Sequence, residues 1–129
     1  MRAHLTIVLL LASCATPGNS VPLNGDFELA AGETTTVAGT GQTVTFDAVT
    51  EDSRCPTGVM CVWAGNARVR LRLGVAGRDS AVTLNTGLEP HAIDIGKIRL
   101  ELKAVTPHPE AGKSIAPDTY RVTLRATGA

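Results

Sequence analysis

Asn66-Ala67-Arg68-Val69-Arg70-Leu71-Arg72-Leu73-Gly74-Val75 is the stretch that decides the fold. Successive side chains of a strand point to opposite faces, so Ala67, Val69, Leu71, Leu73 and Val75 share one face and Arg68, Arg70 and Arg72 the other. A slip of one residue would bury three guanidinium groups, so the register is strongly set. A strand with one apolar and one charged face belongs to a sheet that covers a core on one side and meets water on the other.

The same alternation recurs on both sides of this stretch. Phe27 with Leu29, then Glu33 to Val37, then Gln42 to Val49 precede it, with Val44, Phe46 and Ala48 on one face. Beyond it, Gly77-Arg78-Asp79 turns the chain into Ser80 to Asn85, where Val82 and Leu84 share a face. His91 to Ile95 is a short edge strand. Lys97 to Thr106 follows with Ile98, Leu100, Leu102 and Ala104 inward, and Thr119 to Ala126 closes the chain with Tyr120, Val122 and Leu124 inward. No window carries the apolar spacing of a helix. About eight strands with turns between them predict an all-β antiparallel sandwich, Ig-like or small and barrel-like.

Immediately before the deciding strand lies Cys55-Pro56-Thr57-Gly58-Val59-Met60-Cys61-Val62-Trp63-Ala64-Gly65, with the single tryptophan of the chain. Pro56 and Gly58 make the interval a turn, which lets the two sulfurs meet, so Cys55 and Cys61 are expected to form a disulfide. A loop this small constrains the unfolded chain by about 2 kcal/mol. Two roles are open to it. Counting back in twos from Ala67 reaches Trp63, which predicts an indole pointing inward, so that disulfide and Trp63 cap one end of the sandwich. Alternatively, Pro56, Thr57, Gly58, Val59, Met60 and Trp63 form a preorganised binding loop, as stapled segments lose less entropy on binding.

The N-terminus carries Arg2 and His4, an apolar run from Leu5 to Leu11, and Leu11-Ala12-Ser13-Cys14. The run is far shorter than the roughly 20 residues of a membrane-spanning helix and reads as an export signal. Leu-Ala-Ser-Cys resembles the bacterial lipobox, which implies that Cys14 is the lipidated first residue of the mature protein. The cysteine count agrees: of three, Cys14 carries lipid and the other two pair in an oxidising compartment. The expected organisation is a signal peptide over 1–13, a lipidated Cys14 and flexible tether over 14–25, and one β-sandwich domain over 26–129. Ala15 stands where an Asp would signal inner-membrane retention, so the rule for such lipoproteins implies the outer membrane, facing the periplasm.

Glu51-Asp52-Ser53-Arg54-Cys55-Pro56-Thr57-Gly58-Val59-Met60-Cys61-Val62-Trp63-Ala64-Gly65 also resembles a motif of small, uncharacterised bacterial lipoproteins. Leu102 to Pro109 and Ile115 to Val122 are similar to the closing half of the same group. His108 stands where that group is expected to have an aromatic residue. The resemblance implies an exported, disulfide-bonded envelope protein and brings no activity with it.

Loss of residues 1–13 removes Arg2 and leaves 11 basic against 12 acidic side chains. That balance excludes nucleic acid or an anionic surface as a bulk electrostatic partner. Catalytic residues are not expected: both remaining cysteines are oxidised, and His91 and His108 have no Cys, Asp or Glu at a catalytic or metal spacing. A surface copper or zinc site from His91, His108 and Met60 is the weakest candidate, and no cofactor or metal is expected. Arg68, Arg70 and Arg72, extended by Arg99, Lys103, Arg121 and Arg125, form a candidate basic face for a phosphate-bearing surface such as lipopolysaccharide. The expectation is a lipid-anchored envelope protein with a non-enzymatic binding or structural role. It has the membrane and an envelope protein as partners. The alternative is a hydrolase (protease) inhibitor acting through loop 55–61.

Overall fold

The alternating strands pair into two sheets packed face to face, in a computed structural model that describes residues 20–129. The expected signal peptide, the expected lipidation at Cys14 and positions 14–19 of the expected tether lie outside the described residues. Among the described residues there are nine strands: β1 (Ser20–Val21), β2 (Asp26–Ala30), β3 (Thr34–Val37), β4 (Thr43–Asp52), β5 (Ala67–Val75), β6 (Arg78–Asn85), β7 (Ala92–Ile95), β8 (Ile98–Thr106) and β9 (Arg121–Gly128). One sheet has the order β1-β3-β4-β5-β6 and the other β2-β9-β8-β7. The all-β sandwich with one disulfide is therefore the observed architecture.

The deciding strand behaves as its pattern demands. Ala67, Val69, Leu71 and Leu73 are buried and the arginines between them exposed, while Val75 is only half-buried at the strand end. They meet Phe46 and Val44 in their own sheet and Leu100, Val122 and Leu124 from the other, in one continuous apolar core. Gln42 ties the sheets together at one end: its Nε2 donates to Ile95 O and its Oε1 accepts from Lys97 N.

Four expectations need correction. Ser20 and Val21 pair with Thr36 and Val37 in parallel, and Asn24 N donates to Ala126 O, so positions 20–25 are laid onto the sandwich. A two-residue strand is too short to leave a periodic signal. The hairpin after β5 turns on Ala76-Gly77, both at positive φ, and strand pairing resumes already at Arg78. In β8 a bulge between Leu102 and Ala104 inserts an extra residue, so Ala104 faces out and Val105 is buried instead. Bulges in β4 flank Ala48 in the same way and leave it half-buried.

Candidate functional site

The cysteine loop leaves the sandwich where β4 ends at Asp52 and returns at Ala67, the first residue of β5. The Cys55–Cys61 disulfide is present, with Cα atoms 5.9 Å apart, as six intervening steps of a tight turn allow. Below it sits a nearly buried polar clamp. Arg54 donates from Nε and Nη2 to the two carboxylate oxygens of Asp52, at 2.8 and 2.7 Å, with both side chains close to nine-tenths buried. Its Nη1 donates to Val105 O at 2.7 Å and Nη2 also to Pro107 O at 2.9 Å, which spans the two sheets. Tyr120 Oη completes the set, donating to Asp52 Oδ2 at 2.8 Å.

These partners shift the ionisation of both acids. Hydrogen bonds from Arg54 hold the Asp52 carboxyl below its usual range, against the opposing effect of burial; the Tyr120 hydroxyl and the Arg54 charge add to the lowering. Burial, with the Asp52 carboxylate as acceptor, pushes the Tyr120 hydroxyl up.

The flank of the loop is tied down as well. His108 Nε2 donates to Cys55 O at 2.8 Å, Thr57 N donates to Pro109 O at 2.9 Å, and Ala111 N donates to Thr57 O at 3.3 Å. Thr57 and Glu110 thereby form a parallel bridge. Beside this seam lies an open groove of about 330 Å³ lined by Pro107, His108, Glu110, Ile115, Ala116 and Thr119.

Above the clamp the loop is bare. Met60 is 99% exposed, Val62 95%, Trp63 63% and Val59 47%. Trp63 therefore does not cap the core, and the inward orientation expected from counting in twos fails at Gly65. That glycine has φ +65, and a Cβ on it would lie 2.5 Å from Ser53 O, so the chain turns there instead of extending β5 backward. Leu88, 58% exposed, stands at the same end, since its neighbour Gly87 donates to Asn66 Oδ1 at 2.9 Å and packs on the Gly65 backbone. Among the described residues, every strongly exposed large apolar side chain thus lies at one end of the sandwich.

The remaining candidates are not brought together. Arg68 is paired with Glu51, and Arg70 and Arg72 share Asp47, so the basic stripe carries its own counter-charges. Arg99, Lys103, Arg121 and Arg125 belong to the other sheet and face Asp94, Glu101, Glu28 and Asp26. His91 pairs with Glu89 while His108 serves the loop, and no group of three or more His, Cys, Asp or Glu suited to a metal occurs among the described residues. Tyr120 and Leu88 are the site residues that sequence reasoning missed: the first reads as plain core, and the second lies between two strand patterns with no signal of its own.

The fold and this end together define a β-sandwich that presents a stapled, uncharged apolar loop. Comparison with protein-family models, curated proteins and solved structures finds no match.

Proposed function

We propose that the protein is a lipid-anchored component of the bacterial envelope, on the outer membrane facing the periplasm, with a non-enzymatic binding role carried by loop 55–65. The observation that carries this reading is the loop itself. Five apolar side chains stay in water at one end, three of them carried by residues 60–63, on a base fixed by a disulfide, a shared carboxylate and a cross-sheet guanidinium. A soluble domain keeps large apolar side chains in water where they serve a contact, and a fixed base lowers the entropy lost on making it. The export signal and Leu-Ala-Ser-Cys support the anchor.

Two measurements test this. Cys14→Ser is expected to move the protein into the soluble fraction, and an N-terminal peptide without lipid mass overturns the anchor. Met60→Ser combined with Trp63→Ala is expected to change unfolding free energy by under about 1 kcal/mol, as for surface positions. A loss of about 3 kcal/mol or more would mean a core role and overturn the contact element.

Hydrolase inhibition through residues 55–61 is the second reading, favoured by the same staple. Val59 N donates to Pro56 O at 3.3 Å and Gly58 has φ +87, so the segment is a turn. A hydrolase would meet the side chains of Val59 and Met60 here rather than an extended substrate-like strand. Slow-dissociating inhibition of a periplasmic hydrolase, abolished by Met60→Ser, is the result that would favour it.

A further inference from the structure

We infer that the partner of the loop is the lipid bilayer itself: Met60, Val62 and Trp63 enter the interfacial layer of the membrane in which Cys14 is anchored. This deepens the proposed function and rests on its two parts, the lipidated Cys14 and the exposed loop.

The chemistry of the loop fits a lipid surface. From Cys55 to Gly65 there is no charged residue, whereas protein-binding surfaces ring their apolar centre with polar groups. Tryptophan beside fully exposed aliphatic side chains is the composition that settles at the boundary between headgroups and acyl chains. The backbone at the foot of the loop is already paired, through Cys55 O, Pro56 O and both polar groups of Thr57, so approach to an apolar medium leaves these groups satisfied. With the arginine stripe matched by Asp47 and Glu51, attraction to the membrane is apolar rather than electrostatic.

The path of the chain supplies the second argument. β1 runs parallel to β3, with Ser20 opposite Thr36, which in turn faces Thr43 at the start of β4. The chain that enters Ser20 therefore arrives from the side of Asp52, the end that bears the loop. From the level of Thr43 to that of Asp52, β5 takes seven residue steps, from Gly74 to Ala67, or about 24 Å. Only six residue steps separate Cys14 from Ser20, which reach about 20 Å fully extended. A bilayer holding Cys14 thus meets the loop end before the tether is drawn straight.

Trp63, the single tryptophan, reports on this directly. The full-length lipidated protein is reconstituted into phosphatidylcholine vesicles with or without brominated acyl chains; flotation reads the anchor and Trp63 emission reads the loop. The expected result is flotation with blue-shifted emission that brominated lipid quenches, and loss of shift and quenching, with flotation intact, in Met60→Ser/Val62→Ser. Flotation with the emission of a water-exposed indole overturns the inference while leaving the anchor standing. So does a loop that stays unquenched but cross-links to an envelope protein in a Met60-dependent manner. A protein that neither floats nor carries lipid mass on Cys14 overturns the anchor, and the inference with it.

Discussion

The Arg54 guanidinium grips both carboxylate oxygens of Asp52, from Nε at 2.8 Å and from Nη2 at 2.7 Å, two residues along the same chain. Residues two apart in extended backbone share a face, so as the chain leaves β4 at Asp52 the Arg54 side chain lies on the same side as the carboxylate and can fold back onto it. The remaining donors of Arg54 reach across to Val105 in the other sheet and to Pro107 just beyond the end of β8, which closes the sandwich under the loop.

Removing the Arg54 side chain leaves Asp52 with the Tyr120 hydroxyl and the backbone N–H of residue 54, and strips the carbonyls of Val105 and Pro107 of the guanidinium donor. Arg54→Ala is expected to cost about 2–3 kcal/mol, the range for hydrogen bonds to a buried charge. Arg54→Lys rescues little, because an ammonium has no planar fork to match the carboxylate while also reaching Val105 O. Urea unfolding of the three proteins checks this, and a lysine variant as stable as the parent would contradict it.

The same clamp sets an acid limit. Asp52 titrates below its ordinary value in the folded state, chiefly because Arg54 hydrogen-bonds its charged form, so its contribution is present above the unfolded carboxylate value of about 3.9 and is lost as pH falls through the lower folded value. Tyr120→Phe removes one donor to that carboxylate and is expected to raise the folded value, moving acid unfolding to higher pH. Tyr120 has the opposite sign: its raised value gives a contribution complete below about pH 10 and lost as pH rises further. Thermal melts at acid pH, with Asp52→Asn as the variant that flattens the profile, measure it.

For the disulfide, Cys55→Ala is expected to cost about 2 kcal/mol through the freedom returned to the unfolded loop. Because the clamp lies below Cys55, hydrogen exchange of β4 and β8 amides should slow or quicken only with global stability, while the hydrogen-bonded amides of Thr57 and Val59 lose protection outright. Alkylation of two thiols in the native protein would contradict the pairing.

What was legible in the sequence follows the period of the side chains. Arg68, Arg70 and Arg72 alternate with Val69 and Leu71, and the strand, its register and its buried face follow from that alone. Ala104 was misread because the extra residue of a bulge looks like any other residue of the strand until its partner, here Leu124 beside Thr123, is known. Trp63 was misread for a related reason: counting in twos assumes extended backbone, and Gly65 leaves it. Asp52 and Arg54 stand two positions apart at the loop base, whereas Tyr120 lies 68 positions from Asp52 and joins the pair only through the strand order β9-β8. The exposure of Met60 and Leu88 has no local signature either, because a loop residue is exposed or covered according to what packs over it.

Two glycines of the loop separate backbone strain from close approach, and the contrast tests whether the loop's exit is locked. Gly58 has φ +87 with open space around it, so Gly58→Ala is expected to cost about 1 kcal/mol, the penalty of a Cβ in left-handed backbone. Gly65 has φ +65 and, in addition, a Cβ there would press on Ser53 O, Arg54 Cα and Cys55 N, at 2.5, 2.7 and 3.0 Å. All three are backbone atoms held by the Ser53–Asn66 hydrogen bonds and the Arg54 clamp, so none moves freely. Gly65→Ala is therefore expected to cost about 2–3 kcal/mol or more, beyond strain alone, as overpacking does in a core. Its near-ultraviolet signal from Trp63 should change as well, since relief requires the segments 53–55 and 63–65 to part. Equal destabilisation by the two substitutions would mean that the exit at Gly65 yields as readily as the tip at Gly58, and that the loop is not held at its base.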